Sequence, residues 1–177
     1  MGIQHRDISL GNMMFKRIDG EIQGYLIDWD LASLVGRDSH NLDRTGTMPF
    51  MALELLGSVE PGQSAVLHTY AHDAEAVCWV MLWLGVQYAA GERVRYSFET
   101  WEMVDAVTCL QKKAHTLRTL RLHPFTQPNE LLQEPIRDIL AKINMHDFKK
   151  GMAGGEVPDP DIGGWMGECN KAIRAQV

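Results

Sequence analysis

The chain has 177 residues, 45% of them hydrophobic, enough to bury one sizeable core within a single domain. A net charge of -6 and a pI near 5.6 exclude the broad basic field that steers a protein onto nucleic acid. Three widely spaced cysteines (Cys78, Cys109 and Cys169) exclude a disulfide framework and a structural zinc site, and point to a reducing compartment.

The polar opening has no apolar core that could act as a targeting signal, and Arg6 occupies the position where myristoylation of Gly2 would want Ser or Thr. The longest apolar run, Ala76 to Val86, falls well short of the roughly 20 residues that cross a bilayer. An intracellular protein, cytoplasmic or nuclear, with neither a membrane nor a nucleic-acid partner, is the expectation.

In chain order, the first informative stretch is His5-Arg6-Asp7-Ile8-Ser9-Leu10-Gly11-Asn12. Two brief apolar runs follow, Met13-Met14-Phe15 and Tyr25-Leu26-Ile27, on either side of a segment that holds the turn signal Asp19-Gly20. That pattern predicts a β-hairpin. The residue entering its first strand and the residue leaving its second share one edge, so Asn12 and Asp28 become neighbours and two oxygen donors converge. Asp7, five residues before Asn12, can aim at a substrate over the same edge while remaining free of a metal. Phosphoryl transfer needs such a set: a carboxylate to orient the attacking hydroxyl, and oxygen ligands for Mg²⁺ on nucleotide phosphates.

From Leu31 to Gln63 the chain is rich in Gly, Ser, Asp and Thr, and a loop of that length inside a domain is usually functional. His68 and His72 stand four apart, a zinc-helix spacing, but no Glu follows His68 and no third ligand is evident, so they read as polar residues before a buried helix. Asp73 to Val86, apolar on every side, predicts that helix and the centre of the core. The spacing of Phe98, Trp101, Val104, Val107, Leu110, Ala114 and Leu117 predicts an amphipathic helix capped by Ser97. A third helix is expected to start near Glu134-Pro135, with Ile136, Ile139, Leu140 and Ile143 on one face. Residues 151–177 are dense in Gly and Pro and are expected to be a loop-like, poorly ordered tail. Gly163, Gly164 and Gly167 lack the spacing of a phosphate-binding fingerprint.

Residues 5 to 12 resemble the HRDxxxxN catalytic loop of protein kinases, with Asp28 in place of the DFG aspartate. Gly46-Thr47-Met48-Pro49-Phe50-Met51-Ala52-Leu53-Glu54 resembles the end of a kinase activation segment, with Ala-Leu-Glu where Ala-Pro-Glu is usual. Together with LIDWDLA and the Trp-rich helix after Asp73, these motifs most resemble the fungal-type protein kinases over about residues 3 to 90. The resemblance implies a mainly α (α+β) C-terminal lobe over residues 1–150, with a small hairpin beside the catalytic loop (5–12), an activation segment at 28–54 and a central helix at about 73–86.

The resemblance also implies roles. Asp7 would be the catalytic base, Arg6 would reach a phosphate or acidic group on the activation segment, and Asn12 and Asp28 would ligate Mg²⁺ and so hold ATP. His5 belongs to the same loop motif. Thr47 would lie beside Asp7 in the substrate-binding part of the segment, Glu54 would anchor the segment by an ion pair, and Asp73 would brace the catalytic-loop backbone. Ser39, Thr45 and Thr47 read first as ordinary polar loop residues; phosphorylation of one of them is the alternative, which would order the segment through a contact with Arg6.

Ser9 stands where serine/threonine kinases usually carry Lys, and Trp29-Asp30 replace Phe-Gly, removing a glycine's backbone freedom. The family's ATP-clamping elements, a Gly-rich strap, a Lys and its Glu partner, precede the HRD loop, whereas this sequence starts four residues before His5. The expected function is therefore that of a kinase-like C-lobe acting on a protein hydroxyl, inactive without an N-terminal lobe or a partner chain. Two alternatives stay open: a non-catalytic docking module of pseudokinase type, and a small-molecule phosphotransferase of the aminoglycoside or choline kinase type, whose HxDxxxxN and IDW motifs also resemble residues 5–12 and 27–29.

Overall fold

Strands Met13–Ile18 (β2) and Glu21–Leu26 (β3) pair antiparallel, as the apolar runs and the Asp19-Gly20 turn predict. The turn closes in two residues because Asp19 and Gly20 both take positive φ, 51° and 87°, which matches the twist of the flanking strands. The computed structural model to which these elements belong describes residues 2–34, 46–58, 66–152, 161, 163–167 and 171. Met13 lies opposite Leu26, and the Ile27 N–H donates to the Asn12 carbonyl at 3.0 Å, so Asn12 and Asp28 leave the open end of the hairpin together. Ahead of the hairpin, Ile3–Gln4 (β1) pairs antiparallel with Ser33–Leu34 (β4), which returns the chain past Asp28-Trp29-Asp30 to residues 5–12.

After the short helix Leu53–Gly57 (α1) comes the central helix Tyr70–Gln87 (α2), three residues longer at its start and one at its end than the apolar run predicts. It is buried around most of its circumference, with Trp79, Val80, Leu82, Trp83 and Val86 each 2% exposed or less, while Val77, Met81 and Leu84 form a partly buried stripe. Trp83 meets Phe50 edge-on at 5.4 Å, and Phe98 and Trp101 close the aromatic cluster around it. Burying a large apolar side chain stabilises by about 1.5–3 kcal/mol, so each of these aromatics contributes on that scale. A Cβ on Gly85 would run into the Phe125 ring, so helix and loop meet there at closer range than any other residue allows.

Two predicted helix starts move. The segment from Ser97 makes a 3₁₀ turn, Glu99–Trp101, and the helix proper is Ala106–Arg118 (α3, after the short strands Tyr88–Ala89, β5, and Glu92–Arg93, β6). Its cap is Asp105, which accepts the Thr108 N–H at 3.0 Å; Ser97 is not the cap. Phe98 and Trp101 share a three-residue spacing because both are core anchors, and that imitates a helical period.

The last long helix is Glu130–Met152 (α4), entered through the 3₁₀ turn Gln127–Asn129, so Pro135 sits inside it and not in its first turn. The carbonyl that Pro135 leaves without a helical donor is that of Leu131, a residue whose side chain is 46% exposed, near enough to the surface for water to serve it. Ile136, Ile139, Leu140 and Ile143 do line the face buried against the core, as predicted.

Within 151–177, α4 continues to Met152 and residues 163–167 form a helical turn whose Trp165 and Met166 pack on the core, so this piece is not the loop expected. The other tail residues, Cys169 among them, lie outside those described, apart from Asp161 and Lys171. The described residues are mainly helical with three two-stranded sheets, an α+β protein. None of their helices is long and apolar enough to cross a membrane.

Candidate active site

The first turn of α2 carries Asp73, where the helix dipole favours a carboxylate. Its Oδ2 accepts the His5 N–H at 2.6 Å, and its Oδ1 accepts the Arg6 N–H at 3.0 Å and the His68 Nε2–H at 2.9 Å. Burial pushes the Asp73 pKa up, but the bonds from His68, His5 and Arg6 outweigh it and hold the carboxyl below its usual range. These bonds fix a strained backbone. Arg6 has φ 69°, a region a long side chain seldom visits, at a cost of about 1–3 kcal/mol. The His5 ring bonds the Ile27 carbonyl through Nε2 at 3.0 Å and lies 4.6 Å from the Trp29 ring, tying the loop to the end of the hairpin.

Asp7 follows directly. Asn12 donates its amide Nδ2 to the Asp7 carbonyl (3.0 Å) and to Asp7 Oδ2 (3.1 Å), while Thr47 donates its N–H (2.8 Å) and its hydroxyl (2.9 Å) to Asp7 Oδ1. With Nδ2 turned to Asp7, the atom Asn12 has to offer a cation is Oδ1. Asp28 is exposed, with φ 62°. A carboxylate and an amide oxygen are hard donors of the kind Mg²⁺ takes when nucleotide phosphates and water complete its shell. The donor set therefore fits the cation, and among the described residues no group of three or more His, Cys, Asp or Glu forms a metal cage of its own.

The end of the loop after Asp28 is held from below. Gly46 (φ 133°) passes so close to the catalytic loop that a Cβ would sit 3.1 Å from the Arg6 carbonyl. Glu75 Oε1 accepts the Leu53 N–H at 2.9 Å and the Trp79 indole N–H at 2.8 Å. Lys113, fully buried on α3, donates to the Met51 carbonyl and lies 4.2 Å from the Trp79 ring centre. Burial pushes its pKa down to about 7, against the opposing pull of Glu75.

Glu54 bonds His72 Nε2 (3.1 Å) and Lys150 Nζ (2.7 Å). The His72 bond, helped by Lys150 and opposed by burial, holds its pKa down at about 2. His72 is bonded at its other nitrogen too, Nδ1 accepting the Thr69 N–H at 3.0 Å.

The structure thus gathers His5, Arg6, Asp7, Asn12, Thr47 and Asp73 around one loop, with Asp28 at the neighbouring hairpin exit and Glu54 apart, at the far end of the segment. Arg6 is buried beside a water-sized cavity of about 10 Å³ that Gly46 and Thr47 also line. Ser39 and Thr45 lie outside the described residues. Sequence reasoning missed the scaffolding parts of His68, His72, Glu75, Lys113 and Lys150. For two of them a signal existed: Glu75 interrupts an apolar helix, and Lys113 falls on the face of α3 that buries Cys109 and Thr116.

Asp7 thus follows a backbone braced from a buried helix and stands beside the hairpin edge that Asn12 and Asp28 leave together. The model of the fungal protein kinase family matches residues 1–85, a stretch that contains every site residue named from the sequence. Over those residues, just under half of the chain, the sequence is similar to fungal protein kinases. No curated protein and no solved structure matches the chain.

Proposed function

We propose that the chain forms the C-terminal-lobe half of a phosphotransfer site that moves the γ-phosphate of ATP to a protein Ser or Thr hydroxyl. The observation that supports this reading is the pair of bonds from Asn12 Nδ2 to Asp7, with Asp28 next in the chain after the Ile27 N–H that donates to the Asn12 carbonyl at the open end of the hairpin. Asp7 would aim the acceptor hydroxyl and take its proton, with Thr47 and Asn12 fixing the carboxylate's orientation. Asn12 Oδ1 and Asp28 would hold Mg²⁺, whose chemistry when bound is to neutralise charge on the phosphate oxygens. Nucleotide-clamping groups would come from outside residues 1–177, from preceding sequence or from another chain.

A docking role is favoured by one further observation: the hairpin exposes Met14 and Tyr25 on one face and Phe15 and Ile22 on the other, and with Ile27 and Trp29 beside it this is apolar surface that a covering lobe or partner would bury. The test joins the chain to the N-terminal lobe of a fungal protein kinase and supplies labelled ATP with Ser/Thr peptides and with small amino alcohols. Label on peptide hydroxyls, lost in Asp7→Asn, is the expected result. Label on the alcohols alone would overturn the protein-kinase reading in favour of a small-molecule phosphotransferase. No label on either would leave docking as the function.

A further inference from the structure

Asp73 Oδ1 serves two donors, the Arg6 N–H and His68 Nε2, whereas Oδ2 serves the His5 N–H. The carboxylate is only 9% exposed and the His68 side chain 12%, so water is a poor substitute for the imidazole donor. A carboxylate only accepts, so Nε2 of His68 carries the proton and the ring's orientation is set. His68 lies just before α2, and its ring packs edge-on against His72 at 5.3 Å. His72 is itself held at both ring nitrogens, by Thr69 and by Glu54. A continuous line of contacts thus runs from Glu54 through His72 and His68 to Asp73, and from there to the backbone that presents Asp7.

We propose that His68 is a positioning residue for Asp7: it orients the Asp73 carboxylate, which in turn holds the strained His5-Arg6 backbone. Any consequence for phosphate transfer rests on the function proposed above; the backbone effect does not. The Arg6 φ of 69° is kept only while both neighbouring amides stay bonded to a carboxylate in one orientation. Removing His68 takes away one of the three donors that fix the carboxylate and leaves the two backbone bonds alone to hold the strained turn, so the loop of residues 5–12 loosens before the helix core does.

The test is amide hydrogen exchange on the 177-residue chain, residue by residue, in the parent protein and in His68→Ala, His68→Gln and His68→Met. Glutamine keeps an N–H donor at similar reach, and methionine keeps bulk without one. In His68→Ala and His68→Met, the His5 and Arg6 amides are expected to exchange about tenfold faster or more, the scale set by losing one hydrogen bond to a charged group. Amides of Trp79 to Val86 should keep their parent rates, and His68→Gln should restore most of the lost protection.

Unchanged His5 and Arg6 rates would overturn the proposal, as would equal acceleration throughout α2 or the same rates in the Gln and Met variants. If His68→Ala does not fold, the Gln and Met pair still decides. In the lobe-completed protein, His68→Ala should lower kcat for peptide phosphorylation with KM for ATP little changed, and Gln should rescue it. Absence of transfer in the parent would count against the proposed function alone, because the exchange measurement needs no activity.

Discussion

The loop of residues 5–12 and the hairpin adjoin in sequence but are held by different means. Residues 5 to 9 hang from buried polar bonds: His5, Arg6 and Ser9 are each 7% exposed or less, and Asp73 and His68 sit directly beneath them. The hairpin beside them is a lone pair of strands with Phe15 75% exposed and Ile22 63% exposed, and little packs on either of its faces. A two-stranded hairpin is marginal in water by itself, so its tip depends on its ladder and on whatever covers it. The comparison separates a preorganised half, which orients Asp7, from a half whose outer surface is apolar and exposed.

Substitutions should break this contrast unequally. Asp73→Ala has the largest expected effect, because it strips the acceptors from two buried backbone N–H groups and from His68; a loss of about 3–5 kcal/mol is expected in denaturant titration. Next is Lys113→Met, read as pH dependence. The Lys113 pKa falls from an ordinary 10.5 to about 7 on folding, so between those values the unfolded chain binds a proton that the folded chain does not. Stability from this residue therefore rises with pH from about 7 to 10.5 and is flat below about 7. Melting temperatures across that window should lose this rise in the Met variant.

Phe15→Ser on the hairpin has the smallest expected effect, within about 0.5 kcal/mol in the same titration, since its ring is already in water. A much larger loss would show that the hairpin face is packed in solution and would erase the distinction.

What the sequence made legible was what local pattern controls. The hairpin followed from two short apolar runs and an Asp-Gly turn, and the central helix from an unbroken apolar stretch. That Asn12 and Asp28 leave the hairpin side by side then followed from hairpin geometry alone. The scaffolding was not legible because its partners are distant along the chain: Glu75 meets Leu53 across 22 residues, and Lys113 meets Met51 across 62. His68 and His72 looked inert because their partners are carboxylates; as zinc ligands they had no companions. The cap at Asp105 was hidden by Phe98 and Trp101, whose spacing serves the core and not a helix face.

The most direct test of the account is a calorimetric titration of the chain with Mg²⁺-ATP, run beside Asp28→Ala. Saturable binding that depends on Mg²⁺ and disappears in the variant is the predicted result, because under the proposed function Asn12 and Asp28 would hold the cation that carries the nucleotide. Binding that survives the substitution, or no binding by either protein, would contradict an assembled half-site at the hairpin edge.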